Sequence, residues 1–300
     1  IFNSALQINP NARVEYVTKK CGVNEHLKHQ VLTLLNADNS SEHYLSNLST
    51  TLYPLINDIE IDRVKHYQLI DKIGEGGMGV VYKAFDEKLQ RVVAIKFLLS
   101  YRAKNPSDKQ RFMHEATAAA GLNHPNVCDV YEIDETEDGR LFIVTSFCEG
   151  KNLSELIDDK NLSIGNLIKI VIQLCDALKA AHNNDIIHRD LKPENIIVAK
   201  NWNIQLVDFG IAKTAGVDIS QTGQIVGTFA YMSPEQFSGG IIDQRTDIWA
   251  LGVLLFESFT GERPFKGENA AEIMYQIFNN NTPQITSNKD PLLDRVNHVI

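Results

Sequence analysis

Short runs of β-branched and aromatic residues mark the first half of the chain. They occupy positions 67–73, 80–85, 93–96 and 141–144. Runs of this length and composition predict β-strands, because branched and aromatic side chains pack well against their neighbours on a pleated sheet. We therefore expect the first half of the chain to build a sheet from successive strands.

Helical spacing appears between the third and the fourth of these runs. Ser107 stands three residues before Gln110, which is typical of a capped helix start, and Gly121 is a typical helix stop. A helix is therefore predicted over 108–120. Glu115 is its only acidic residue after the first turn. It is either a solvated surface charge or the partner of a cation elsewhere in the fold.

The first 62 residues differ in composition and carry a weaker pattern. Apolar residues keep helical spacing over 24–36, a polar stretch interrupts them, and leucines over 45–52 indicate a second short helix. A helical extension is predicted over 1–62. Docking onto the rest of the chain and simple linking both remain open as its role.

Glycines at 74, 76 and 79 stand between the first two predicted strands. A tight turn between two strands can place main-chain N–H groups over phosphate oxygens, and glycine allows the closest approach. A dinucleotide-binding loop would instead open a helix after its first strand. Because a strand follows here, Gly74, Gly76 and Gly79 predict a phosphate-covering loop of the strand–loop–strand kind.

The strongest chemical signal is the stretch HRDLKPEN at 188–195, followed by DFG at 208–210. Eight specified positions at about 5% usage each make a chance match negligible. Phosphoryl transfer needs a carboxylate for the attacking hydroxyl, a carboxylate and an amide oxygen for Mg²⁺, and a cation for the developing charge. Asp190, Asp208, Asn195 and Lys192 fit these tasks in that order.

These two motifs resemble the catalytic and metal-binding loops of protein kinases. The glycine loop and the run VAIK at 93–96 are similar to further motifs of that family. The resemblance implies that Lys96 bridges the α- and β-phosphates of ATP and pairs with Glu115. It further implies that Asn195 and Asp208 bind Mg²⁺, for which Mn²⁺ can substitute.

The same resemblance outlines an adenine pocket. Its apolar walls should be Val81, Ala94 and Ile197. The main chains of Ser146 and Cys148 should face the adenine from a hinge over 145–150, with Thr145 at the gatekeeper position. Kinases usually carry a glutamate in place of Ser146 and often a bulkier residue in place of Thr145, so the shape of the pocket behind the adenine is open.

The segment 208–235 should decide activity. Its end reads SPE where many kinases have APE, and Thr228 together with Lys192 matches the serine/threonine-specific branch. The expected sites of activating phosphorylation are Ser220 and Thr222. The cations expected to bind such a phosphate are Arg189 and Lys213. The alternative is a polar surface loop with incidental hydroxyls.

Composition narrows the class of partner. The formal net charge is −9 over 300 residues, which does not indicate nucleic acid or an anionic membrane surface. The longest apolar run, 248–256, is too short to span a bilayer, which takes about 20 residues. It resembles the central helix of a kinase large lobe, with Asp247 turned back to hold the catalytic loop. The four cysteines show no CxxC spacing, which indicates isolated buried thiols in a reducing cytosol.

We therefore expect an α+β, two-lobed protein kinase fold. The domains should be a helical extension at 1–62, the small lobe and hinge at 63–150, and the large lobe, incomplete at its C-terminus, at 151–300. The resemblance implies a cytoplasmic serine/threonine protein kinase of the eukaryotic-like, bacterial type. It should transfer the γ-phosphoryl group of ATP to protein substrates and self-associate for trans-autophosphorylation, with no nucleic-acid partner and no membrane segment. A pseudokinase scaffold and a kinase of small molecules are the alternatives.

Overall fold

A computed structural model gives the fold. The structure describes residues 10–21, 62–76, 79–98, 113, 116–159, 162–209 and 229–285. It contains an N-terminal helix, α1 (Pro10–Cys21), which the sequence analysis did not predict. The helices predicted over 24–36 and 45–52 lie outside the described residues.

A six-stranded antiparallel sheet forms the small lobe, in the order β1-β2-β3-β4-β6-β5. Its strands are β1 (Arg63–Val64), β2 (Tyr67–Gly76), β3 (Gly79–Asp86), β4 (Arg91–Leu98), β5 (Val130–Glu135) and β6 (Leu141–Ser146). The four predicted strands are all present, each longer than its apolar run. Strand β4 buries alternate residues, Val93, Ile95 and Phe97, so one face of the sheet carries a core of its own.

The helix predicted over 108–120 is described only in part. Position 113 and positions 116–120 are helical, and Gly121 stands in the turn that ends this helix, as predicted. Ala116 and Ala119 are buried, so this helical segment packs against the core. Glu115 lies outside the described residues, and its pairing with Lys96 stays a prediction.

The hinge is shorter than predicted. Thr145 and Ser146 still belong to β6, because they pair with Ala94 and Val93 of β4. The connection to the large lobe therefore begins at 147. It ends at Gly150, whose φ is +156° and where a Cβ would lie 2.3 Å from the main-chain oxygen of Val198. Only glycine fits this close approach.

The large lobe is mainly helical. It begins with β7 (Lys151–Asn152), α2 (Leu153–Asp158) and α3 (Ile164–His182), and a short 3₁₀ turn (Pro193–Asn195) then leads into β8 (Ile196–Val198) and β9 (Ile204–Leu206). Helices α4 (Pro234–Ser238), α5 (Arg245–Thr260) and α6 (Ala270–Asn279) follow. Strands β7, β8 and β9 form a small second sheet beside the hinge. Helix α5 confirms the predicted central helix.

Side-chain caps fix where helices α2 and α3 of the large lobe begin. The Asn152 side chain accepts a hydrogen bond from the N–H of Glu155 at the start of α2, and Ser163 does the same for Asn166 at the start of α3. Such caps satisfy main-chain donors that have no partner within the helix. Of the described helices, none is both long and apolar enough to cross a membrane.

The largest buried cluster extends from one lobe into the other. It includes Leu98 and Ile143 from the sheet, Leu174 from α3, and Leu251 and Leu254 from α5. The two lobes therefore share one hydrophobic core, and a cleft lies between them beside the hinge. The site lies in that cleft.

Candidate active site

Asp247 of α5 holds the loop that carries the predicted catalytic residues through hydrogen bonds to its main chain. This side chain is fully buried, and its carboxylate accepts the main-chain N–H groups of His188 and Arg189, each at 2.8 Å. His182 Nε2 lies 2.7 Å from the same carboxylate. Burial alone would raise the pKa of Asp247, but these hydrogen bonds outweigh it and leave the pKa below its usual value. The expected support from Asp247 is confirmed.

His188 joins this loop to the segment that carries Asp208. Burial lowers the pKa of His188, so the ring is neutral at physiological pH. Its Nδ1 accepts the N–H of Asp190 at 3.3 Å, and its Nε2 lies 3.1 Å from the carbonyl oxygen of Val207. A neutral ring with the proton on Nε2 satisfies both contacts. The N–H of Val207 in turn donates to the carbonyl of Asn195 at 2.9 Å.

The structure brings together three predicted residues of the HRDLKPEN stretch. The Asp190 side chain is 6% exposed, and its Oδ2 lies 3.4 Å from Nζ of Lys192. Asn195 Nδ2 donates to the Asp190 carbonyl oxygen at 2.8 Å and lies 3.3 Å from Asp190 Oδ2. A carboxylate, an ammonium group and an amide therefore occupy one corner of the cleft.

Lys96 and Asp208 meet across the cleft. Lys96 Nζ, from strand β4 of the small lobe, lies 2.8 Å from Oδ2 of Asp208. Asp208 has a φ of +58°, in a region that non-glycine residues seldom adopt. Such a conformation at a predicted metal ligand is in keeping with a functional position.

The donor set suits a hard divalent cation. Because the amide nitrogen of Asn195 is turned toward Asp190, its oxygen is left for another partner. The Asp208 carboxylate is 36% exposed and lines the same cleft. One carboxylate and one amide oxygen, completed by phosphate and water, are the ligands that Mg²⁺ prefers. Asn195 and Asp208 therefore fit the predicted metal site. No cluster of three or more His, Cys, Asp or Glu ligands occurs in the described part of the chain.

The predicted nucleotide-binding residues mostly line one cleft between the lobes. Those among its lining residues are Gly74, Val81, Ala94, Lys96, Ser146, Cys148 and Ile197. Thr145 lines the cleft as well, beside apolar residues of the core such as Ile143. An apolar cleft with a few polar groups at its rim is typical of small-molecule sites. The individual roles of these residues remain predictions.

Gly79 has a packing role beside the phosphate-covering role that the sequence predicts. Its φ is +147°, and a Cβ there would lie 1.8 Å from the main-chain oxygen of Phe97. At Gly74 a Cβ would meet nothing closer than 3.7 Å. Gly79 is not among the described residues that line the cleft. Gly79 is therefore required by close packing of β3 on β4, whatever it does for a phosphate.

Several predicted regulatory residues lie outside the described part of the chain, namely Lys213, Ser220, Thr222 and Thr228. Arg189 is described. Its φ is +63°, and its carbonyl accepts a hydrogen bond from Nε2 of Gln236 on α4 at 2.9 Å. The residue before Asp190 is therefore tied to both α4 and α5.

The structure corrects the expectation of isolated thiols. Cys128 and Cys148 both line the cleft, and their sulfur atoms lie 3.4 Å apart. The sequence did not predict this contact, because the two cysteines are 20 residues apart. The contact follows from the register of β5 and β6, in which Val130 pairs with Thr145. The two cysteines flank the ends of these antiparallel strands.

Comparison with known proteins agrees with this geometry. Residues 67–298 match the protein kinase domain family. The chain is 40% identical to the serine/threonine-protein kinase PknB of Mycolicibacterium smegmatis over 217 residues, which are 70% of this chain and 35% of that protein. It is 41% identical to the serine/threonine-protein kinase PrkC of Bacillus subtilis over 219 residues, 72% of this chain and 34% of that protein.

A solved kinase domain is similar as well. The PknI kinase domain of Mycobacterium tuberculosis superposes with a TM-score of 0.57 at 27% identity, over 69% of this chain and 78% of that one. The chain spans about a third of the length of the curated relatives that it matches. These matches and the two-lobed fold show that the chain belongs to the protein kinase family, among the serine/threonine kinases of the bacterial Hanks type.

Proposed function

We propose that this protein transfers the γ-phosphoryl group of ATP to serine and threonine hydroxyls of proteins. In this reaction the bond from the γ-phosphorus to the bridging oxygen of ADP breaks, and a bond to the hydroxyl oxygen forms. The observation that carries the proposal is the meeting of Asp190, Lys192, Asn195, Asp208 and Lys96 in one cleft. These are the groups that phosphoryl transfer requires.

Asp190 orients the attacking hydroxyl and accepts its proton. Its nearly buried carboxylate lies beside Lys192, and this position supports the role. An oriented base contributes about 10²–10⁴-fold to the rate of a reaction. Lys192 then lies where negative charge develops on the transferred group. Glu115 orients Lys96, as the resemblance implies.

Asn195 and Asp208 hold the metal ion. Mg²⁺ bound there would neutralise charge on the phosphate oxygens, and Mn²⁺ accepts the same oxygen ligands. Lys96 contacts the α- and β-phosphates, and its ion pair with Asp208 holds its ammonium group at the metal side of the cleft.

The adenine lies between Val81, Ala94 and Ile197, and the main chains of Ser146 and Cys148 supply its hydrogen bonds. The position of all five residues along one cleft supports this arrangement. The N–H of Ser146 is already used by the carbonyl of Asp129 at 2.9 Å. The carbonyl of Ser146 is therefore the group that this residue offers to the adenine amino group.

Phosphorylation of Ser220 or Thr222 activates the enzyme, and Arg189 and Lys213 bind the added phosphate. The support is the position of Arg189, whose main chain is fixed to Asp247 and Gln236 directly before Asp190. A phosphate adds about −1.5 to −2 charges and three acceptor oxygens. Thr228 orders the end of this segment beside Lys192. Self-association supplies the second copy for trans-autophosphorylation.

The chain divides into an extension at 1–62, a small lobe at 63–150 and a large lobe at 151–300. This division is supported by the sheet and the helices, which meet at the hinge before Gly150. The protein acts in the cytoplasm, where ATP and protein acceptors are available, and its partners are proteins with accessible serine or threonine. It needs no nucleic-acid partner and no membrane segment within this chain.

A transfer assay with three acceptors tests the proposed function. The purified chain is incubated with γ-labelled ATP and Mg²⁺ alone, with a generic serine/threonine-containing protein, or with an aminoglycoside as a small-molecule acceptor. The proposed function predicts label in the chain itself and in the generic protein. Label only in the aminoglycoside would favour a small-molecule kinase, and nucleotide binding with no transfer at all would favour a pseudokinase scaffold.

A further inference from the structure

Two thiols meet in the wall of the nucleotide cleft. Cys148 Sγ lies 3.4 Å from Cys128 Sγ, and both residues are among those that line the cleft. Cys128 is 8% exposed, whereas Cys148 on the hinge is more open to solvent. Cys175 is an exposed residue of α3.

Both thiols also converge on one main-chain carbonyl. Cys128 Sγ lies 3.2 Å from the carbonyl oxygen of Ser146, and Cys148 Sγ lies 3.7 Å from the same atom. In the proposed function, this carbonyl accepts a hydrogen bond from the adenine amino group. The pair is therefore in direct contact with the nucleotide-binding main chain.

The two cysteines belong to parts of the fold that are anchored differently. The N–H of Cys128 donates to the carbonyl of Leu206 in β9 at 3.0 Å, so Cys128 is tied to the large lobe. Cys148 stands in the connection between the lobes, two residues before Gly150. A covalent bond between them would join the hinge to Cys128, which is itself hydrogen-bonded to β9, the strand that leads to Asp208.

The local contacts favour a nucleophilic sulfur at Cys128. The S–H of Cys148 points at Cys128 Sγ, and the Ser146 hydroxyl lies 3.2 Å from it. The hydrogen bond from Cys148 lowers the pKa of the Cys128 thiol despite its burial, and it raises the pKa of Cys148. A thiol with a lowered pKa and a second thiol beside it is the usual arrangement of an oxidisable pair.

We propose that Cys128 and Cys148 form an oxidation-sensitive modification site that controls access of ATP to the cleft, with hydroperoxides as the oxidant. This inference rests on the proposed function for its consequence but not for its chemistry. The Cys128 thiolate attacks the peroxide oxygen, which gives a sulfenic acid and releases water or an alcohol. The Cys148 sulfur then displaces the sulfenic oxygen as water, which forms the disulfide. In total, two thiols and one hydroperoxide give one disulfide, one water molecule, and a second water molecule or an alcohol.

Closure of the bond moves the hinge. A disulfide requires a sulfur–sulfur distance of about 2.05 Å, so the 3.4 Å separation must shorten. The movement shifts the main chain at Cys148, which the proposed function places against the adenine. The S–H donors of both cysteines, including the one that Cys128 directs at the Ser146 carbonyl, are lost at the same time. Oxidation should therefore weaken ATP binding, and bound ATP should shield the pair from peroxide.

The test uses the full chain with Cys21 and Cys175 replaced by serine, so that the pair is the only source of thiols. The protein is treated with hydrogen peroxide, with or without a non-hydrolysable ATP analogue, and digested without reduction. Mass spectrometry then looks for linked peptides. Affinity for a fluorescent ATP analogue is measured before treatment, after treatment, and after dithiothreitol. Matched controls carry Cys148→Ala or Cys128→Ala in the same background, each compared with its own untreated form.

We expect a link between Cys128 and Cys148, a loss of ATP affinity of at least about tenfold, and full recovery with dithiothreitol. The analogue should slow formation of the link. Absence of the link in the treated parent protein would overturn the proposal, and so would a linked protein that binds ATP as before. A loss of affinity in Cys148→Ala that is as large as in the parent would exclude the disulfide as its cause. Failure of the reduced parent to bind ATP would instead contradict the proposed function, while the peptide mapping would still decide on the disulfide.

Discussion

Three aspartates near the catalytic loop differ because their surroundings differ. Asp247 is fully buried and saturated by three donors, so it acts on the loop and not on a substrate. Asp190 keeps a small exposed fraction beside Lys192, as a base must. Asp208 is the most exposed of the three and faces Lys96. Burial and partners therefore support the proposed roles, in which Asp247 holds the loop, Asp190 serves the hydroxyl and Asp208 binds the metal ion.

Lys96 should be needed for transfer but not for folding. Replacement of Lys96 by methionine keeps most of the length of the side chain and removes the charge that the phosphates require. We expect autophosphorylation to fall by about 10²–10³-fold, since one lost electrostatic contact to a transition state costs that much. The control is Lys88→Met, in the exposed turn after β3, which should retain the parental rate. Radiolabel incorporation measures both, and equal rates for the two variants would contradict the role.

Asp247 should matter first for stability. In Asp247→Asn one acceptor oxygen becomes an amide that faces a main-chain N–H. Hydrogen bonds to charged groups contribute about 1.5–3 kcal/mol each, so we expect a loss of about 3 kcal/mol in the free energy of unfolding. Urea denaturation measures this. Asp176→Asn, on the exposed side of α3, should leave the free energy of unfolding unchanged.

The difference in the free energy of unfolding between the parent and Asp247→Asn should depend on pH. The pKa of Asp247 in the fold lies below its unfolded value of about 3.9. Its contribution is therefore complete above that value and is lost as the pH falls through the folded pKa. We expect a constant difference between the parent and Asp247→Asn from neutral pH down to about 5, which narrows below about 4. A difference that narrows already near neutral pH would point to another group.

At the level of elements, the strands were predictable and the N-terminal helix was not. Each small-lobe strand is a local run of β-branched and aromatic residues whose alternation matches the burial seen in β4. Helix α1 lacks such a run. Its signals are Pro10 at the first position and Lys19 and Lys20 in the last turn, which many non-helical segments share. The end of β6 was also misjudged, because its pairing with β4 is not local.

The close packing of β3 on β4 should require glycine at position 79. Alanine at 79 would need a positive φ and would place its Cβ against the Phe97 carbonyl. We expect Gly79→Ala to lower the free energy of unfolding by roughly 1–3 kcal/mol. Gly74→Ala, which meets only ordinary contacts, is the matched control and should cost less. Thermal unfolding without nucleotide compares them. A larger loss at 74 than at 79 would contradict the packing role.

For the whole molecule, the site exists only where the lobes meet. Lys96 comes from the sheet, whereas Asp190, Asn195 and Asp208 come from loops of the large lobe. The sequence predicted these residues because the motifs are contiguous. It could not predict that Cys128 and Cys148 touch, because that contact depends on strand register and on the path of the hinge. The residues of contiguous motifs were therefore foreseeable, whereas the contact between Cys128 and Cys148 was not.

Regulation is also a property of the whole molecule. Phe229, just after the predicted phosphorylation segment, is buried with Phe237 and Ile273, so the segment returns to a fixed point. If phosphate on Thr222 or Ser220 orders it through Arg189, replacement of both by alanine should lower activity at least about tenfold, or about 1.4 kcal/mol. Mass spectrometry of active protein should find Thr222 phosphorylated before Ser220. Full activity of the double variant would mean that something else orders the segment.

In the proposed function, Asp190 serves the substrate hydroxyl in a cleft that binds ATP independently of it. The most direct measurement compares turnover on a generic serine/threonine protein, and affinity for ATP, in the parent and in Asp190→Asn. Asp185→Asn is the control, since Asp185 is exposed and asparagine tolerates its positive φ. We predict near-parental ATP affinity and a fall in turnover of about 10²–10⁴-fold for Asp190→Asn alone. Turnover above about a tenth of the parental value in that variant would contradict the account.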